Sequence, residues 1–329
     1  MTHHGGRSWA YTPFALPLDA PRLTRLAAAA LVVVASLLGA ARARAAACCG
    51  TGHGLGQRLG PAERAAATAG VRASDRFGAW TSRRDVVAPA DGDHDRELGL
   101  EIGWIARAGR RVQIGVAVPI LATWKALGGA SSSGGGVGDV SATGRFDLLE
   151  EGPAPWAPSV TATFTAGLPM GRPSSSSRDP LGADVTGLGA AELRPGLAVE
   201  KSWDAGVYAT AAASAAFRTT SHAASGAEVH LAPRISLIAA AGPFWDSGLS
   251  LSIGVLHERE AAPTVDGRRA PGADRARTAL LAFAAYDLTR RWTAVGSFQL
   301  DLPIAGLGRN EPAAIAPYAG IRHVWGAHD

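Results

Sequence analysis

From Glu97 to Trp124 the chain reads ELGLEIGWIARAGRRVQIGVAVPILATW, and apolar residues recur at every second position. Leu98, Leu100, Ile102, Trp104 and Ala106 share one parity. Glu97, Glu101 and Arg107 share the other, with Gly99 and Gly103 between them. After Ala108-Gly109-Arg110-Arg111 the pattern resumes: Val112, Ile114, Val116, Val118, Ile120 and Trp124 oppose Gln113, Gly115, Ala117 and Thr123. A helix cannot keep a period of two, whereas a pleated strand imposes it. The four-residue interruption therefore reads as a tight hairpin connection.

The same alternation returns along the chain. Together with Glu97–Arg107 and Val112–Trp124, the segments Ala67–Trp80, Val137–Leu149, Ser159–Met170, Ala190–Trp203, Val207–Arg218, Glu228–Ala239, Leu249–Glu258, Thr278–Leu288, Trp292–Leu302 and Ile315–Trp325 make twelve expected strands. Strands of about ten to thirteen residues exceed the five or six usual in water-soluble sheets and match tilted membrane-spanning strands. The connections alternate between short ones, such as "AGRR", "DAG" and "TRR", and long polar ones, such as Gly171–Thr186 and Glu260–Arg275. Both chain ends fall on the short-turn side. These features predict an all-β, closed, antiparallel up-and-down transmembrane barrel of about twelve strands, within a range of ten to fourteen, over residues 66–325. Closure leaves no sheet edge for lipid to strand without hydrogen bonds.

Trp80, Trp124, Trp203, Trp245, Tyr286, Trp292 and Trp325 stand near strand ends, as an interfacial girdle requires. Pro119, Pro195, Pro233 and Pro317 fall inside expected strands. Proline removes a ladder bond, so each must sit at a bulge or a strand end.

The 329-residue chain carries a net charge of +4, but the excess is local. Arg7, Arg22, Arg25, Arg42 and Arg44 precede Cys48 against the single acid Asp19; taking those five of 32 bases and one of 28 acids away leaves 27 of each. The basic balance thus gives no ground for a nucleic-acid partner. Ala27–Ala40 is an apolar run too short to span a bilayer comfortably, flanked by Arg22 and Arg25 and followed by "ARARAAA". That is the layout of a cleaved signal peptide over 1–47 and of an exported protein. Residues 48–65 then form a short periplasmic segment, with 326–329 a C-terminal tail. Cys48 and Cys49 are adjacent and give no disulfide framework; "AAAC" only loosely fits a lipoprotein box. With so little chain before the first strand, an N-terminal plug is not expected.

Chemistry-bearing motifs are few. "GGGVGDV" and "TGLGAAE" lack phosphate-loop and dinucleotide spacing, and no helix follows them. Asp91, Asp93 and Asp95 alternate in "DGDHDRE", but Arg96 and Ile102 occupy the positions where a Ca²⁺ loop needs Gly and Glu, so the three are at most a weak metal candidate. No His has Ser two residues on, and neither G-x-S-x-G nor H-E-x-x-H occurs, so no enzyme and no cofactor is expected. The informative set is the polar parity: Glu101, Arg145, Asp147, Glu192, Arg194, Glu228, Arg234 and Arg322 are expected to face a lumen. There they either tune passage or pair with one another and fill the interior.

"GGGVGDV", "TAGLPMGRP" and "TGLGAAELRPGLAVEKSW", within Gly50 to Trp325, resemble the outer-membrane barrel family of the MetA pathway of phenol degradation, a distant relative of long-chain fatty-acid transporters. The resemblance implies a channel or transporter in the bacterial outer membrane that passes small solutes, hydrophobic or aromatic ones among them, and it supplies no binding residues. Outer-membrane lipid is then the expected surrounding. A closed structural or partner-binding barrel without transport is the alternative, and a soluble secreted β-protein a third.

Overall fold

The computed structural model describes residues 58–151, 156–223 and 225–326. The expected leader and its expected cleavage site, the cysteine pair and the tail after 326 lie outside the described residues. Twelve long strands form a barrel: β1 (Ala65–Trp80), β2 (His94–Arg107), β3 (Val112–Leu127), β4 (Val140–Leu149), β5 (Ser159–Leu168), β6 (Glu192–Trp203), β7 (Val207–Arg218), β8 (Arg234–Pro243), β9 (Leu249–Glu260), β10 (Arg275–Asp287), β11 (Trp292–Asp301) and β12 (Pro312–Trp325). Each pairs antiparallel with the next, and β12 pairs with β1 from Ala65–Trp325 to Ala79–Pro312, so the sheet has no free edge. The third alternative, a soluble secreted β-protein, is set aside by what this sheet shows outward. Ile102 is 48% exposed and Ile253 67%, and a belt of comparable Leu, Val, Phe and Trp side chains surrounds the barrel. Water does not tolerate an apolar surface of that extent on a monomer; lipid does.

The core is inverted accordingly. Side chains of the other parity point inward and are polar: Gln113, Thr161, Arg145, Glu260 and Asp301 are all buried. One inner patch is apolar, made by Ile238, Leu256, Ala279 and Leu281 with Ala212 and Phe283 against it, on the β7–β10 wall.

Pro119, Pro195 and Pro317, inside strands, find gaps in the ladder. The Pro119 carbonyl accepts from Gly138 N at 2.8 Å where β3 changes partner, Ala117 facing Ser141 and Ile120 facing Val137. Between β6 and β7 the ladder steps from Leu193–Phe217 to Gly196–Ser214, passing over Pro195. Between β1 and β12 it steps from Arg72–Tyr318 to Asp75–Ile315, passing over Pro317. A missing N–H therefore costs no bond the sheet would otherwise make.

Pro233 instead ends a strand, which corrects the expected Glu228–Ala239 element. β8 begins at Arg234 and runs on to Pro243, while Glu228–His230 joins Ser221–His222, Thr264–Val265 and Arg268–Arg269 in a small separate sheet on the long-loop side. The long connection after β3 is likewise not irregular: Ala130–Val137 returns along β3 as a hairpin extension. Trp80 departs from the girdle expectation. It is 2% exposed, packed over Gly308, and its Nε1 donates to the Ile304 carbonyl at 3.2 Å. Trp203, Trp245, Trp292 and Trp325 do form an exposed set at the short-turn end.

Candidate functional site

The lumen is organised in tiers because inward positions on neighbouring strands meet at equal height. At the long-loop end, Arg194 Nη2 lies 2.7 Å from Glu192, which also accepts Arg218 Nε at 2.9 Å. Arg218 Nη1 reaches Glu260 at 2.8 Å, and Glu260 takes Arg234 Nε at 2.8 Å. Arg234 Nη2 continues to Glu311 at 3.0 Å. Arg277 joins Glu258 and stands 3.9 Å from Asp301. A chain of alternating charges thus runs from β6 to β11. Burial of charge is sustainable only with such pairing, and Asp301 at 0% exposure also accepts from Gln299 and from Ala314 N.

The short-turn end is occupied by the segment just before β1. Leu59 is 1% exposed, packed with Ala66, Ile105 and Val324, and its N–H donates to Gln113 Oε1 at 2.9 Å. Arg58 pairs with Glu200 on β6, nearly halfway round the ring from β1, and Arg145 on β4 comes within 4.0 Å of the same carboxylate. Arg322 pairs with Glu63, and Arg107 donates to the carbonyls of Gly60 and Glu63 at 2.8 and 3.1 Å. Residues 58–64 therefore make a strap inside the mouth. This corrects the expectation that no plug precedes the barrel: the reach of a coil segment leaves no periodic trace in sequence.

Between the tiers, a cavity of about 300 Å³ lies against the inner wall of β2–β6, lined by Glu101, Pro119, Ser141, Thr143, Thr165, Glu192 and Arg194. Thr143 and Thr165, register partners on β4 and β5, bring their hydroxyls within 3.3 Å of each other on its wall. Asp139, at its long-loop end, accepts from the N–H groups of Gly171 and Leu188 at 3.0 and 2.7 Å.

Of the residues singled out by sequence, Glu101, Glu192 and Arg194 meet in this cavity and Arg234 extends the charge chain. Arg145 and Asp147 lie lower, Asp147 accepting from Thr161 at 2.9 Å, and Arg322 holds the strap. Glu228 stands apart on the small outer sheet, 2.8 Å from His230. The Ca²⁺ candidate is not assembled. Asp95 pairs with Arg76, Asp93 accepts from Gly128 N at 2.8 Å, and no group of three metal-ligating side chains occurs among the described residues. Arg58, Glu63 and Glu311, outside the expected strands, are among the participants that alternation alone does not single out, whereas Glu200 shares the polar parity of Glu192 and Arg194.

No family model matches the sequence, and no curated protein matches it. Among solved structures the chain is similar to an outer membrane channel from Pseudomonas putida F1, with a TM-score of 0.67 and 16% identity over 81% of this chain and 97% of that one. It is similar at a TM-score of 0.46 and 10% identity to the translocator domain of the autotransporter NalP from Neisseria meningitidis, over 93% and 97% of the two chains. For the Ralstonia pickettii toluene transporter TbuX the values are 0.42 and 7%, over 80% and 92%. The likeness to the Pseudomonas channel is one of fold.

Proposed function

We propose that the chain is an outer-membrane channel for small solutes, exported by a cleaved leader and surrounded by outer-membrane lipid. The observation that carries this reading is the inverted barrel. An apolar belt faces outward, charged and hydroxylated side chains face inward, and a cavity lies between them. Hydrophobic or aromatic solutes, suggested by the family resemblance, would find an apolar contact in the Ile238–Leu256–Leu281 patch on the inner wall. The eight residues chosen from sequence, Glu228 excepted, are then pore-lining groups. Selectivity in such a pore comes from lining charge and width.

The strap favours a second reading, a barrel closed at the short-turn mouth. Planar-bilayer recording separates the two. The channel reading expects discrete conductance steps from the purified protein, larger or longer-lived in Arg58→Ala, which frees the strap from Glu200. Silence from both proteins, with heat-modifiable gel mobility showing them folded, would favour the closed barrel.

A further inference from the structure

We propose that Glu101 is the charge-selective element of the lumen, and that the cavity it lines takes small cations in preference to anions. This rests on the channel reading above. The strand-borne carboxylates that face the lumen, Glu101 excepted, each accept a hydrogen bond within the described residues. Glu101 accepts none, and no cation of the described residues stands within ion-pair distance of it. The reason is local. Its cross-strand neighbours are Gly70 on β1 and Pro119 on β3, neither of which carries a polar side chain. Arg72, two positions along β1 from Gly70, is held by Glu97 at 2.9 Å.

The surroundings complete the case. Among the described residues Asp139 accepts two backbone N–H groups and pairs with no cation, while Glu192 is matched by Arg194 and Arg218. The lining of the cavity therefore carries three carboxylates, Glu101, Asp139 and Glu192, against the single guanidinium of Arg194. Ser141, Thr143 and Thr165 add hydroxyl oxygens that can replace part of a cation's hydration. A fixed carboxylate at the wall raises cation and lowers anion concentration beside it. At about 7 Å in water the effect of one charge is close to RT, roughly a threefold change in occupancy.

The test is the zero-current potential of the full-length mature protein in a planar bilayer under a KCl gradient. The wild type is expected to show the sign of potassium preference. Glu101→Gln should reduce the potassium-over-chloride permeability ratio by about sevenfold, the cation and anion factors multiplying, and Glu101→Asp should retain most of it. Heat-modifiable gel mobility checks that both variants fold. A chloride-preferring wild type, or a ratio unchanged in a folded, conducting Glu101→Gln, overturns this assignment and leaves the channel reading standing. Absence of current from every folded variant overturns both.

Discussion

Gly70 and Gly320 face each other on β1 and β12, and the Tyr318 ring lies across both. A Cβ built at Gly70 would stand 2.2 Å from Tyr318 Oη, and one at Gly320 2.6 Å away. The glycines thus make a recess that the phenol fills, an arrangement that pins register where the sheet closes on itself. Gly70→Val should force the ring out and cost about 1–3 kcal/mol, read as a lower urea midpoint in detergent. An unchanged midpoint would show that the ring moves freely. In sequence these glycines are only small residues within an apolar run; what they accommodate depends on a strand that arrives 248 positions later.

At the scale of elements, the connection between β5 and β6 is a folded unit rather than the polar loop that its composition suggests. It is anchored on the Ala130–Val137 hairpin: Ser132 donates to Asp179, and Thr186 Oγ1 donates to the Val137 carbonyl at 2.8 Å. Gly134 allows the approach, since a Cβ there would meet the Ala183 backbone at 2.7 Å. Two carboxylates organise the turn. The Ser177 hydroxyl, then the Arg178 N–H and the Arg172 guanidinium, hold the Asp184 carboxyl well below the usual range. The Ser132 hydroxyl and the N–H groups of Ala183 and Leu181 lower that of Asp179. Groups with depressed folded values stabilise docking above the ordinary carboxylate value and lose that contribution as pH falls below about 4. Proteolysis within residues 171–190 should therefore quicken below that pH with an acid-tolerant protease, and Asp184→Asn should flatten the dependence. Rates that do not change with acid would remove the two carboxylates from the account. The strands were legible where this unit was not. A period of two survives in a single sequence, whereas a loop that docks through side chains carries no period. Pro233 is the instructive case between them, because parity alone ran Glu228–Ala239 together across a residue that ends the ladder.

For the whole molecule, alternation is sufficient to specify an inverted barrel, because lipid and lumen impose opposite chemistry on neighbouring positions. Twelve strands, their order and their faces follow from it. Which inward charges neutralise one another does not, since that depends on register: Arg218 meets Glu192 and Glu260 only once β6, β7 and β9 are aligned. The strap was illegible for a related reason, as Leu59 and Arg58 act by where they end up, not by any pattern they belong to. The most direct test is a nitroxide scan of β2 from Glu97 to Arg107 in lipid vesicles, with Cys48 and Cys49 replaced by serine. Collisions with dissolved oxygen and with a water-soluble nickel chelate are measured at each site. Labels at 98, 100, 102 and 104 are predicted to favour oxygen and those at 97, 99, 101 and 103 the chelate or neither, with a period of two. A uniform profile, or a period of 3.6, would contradict the barrel and everything placed inside it.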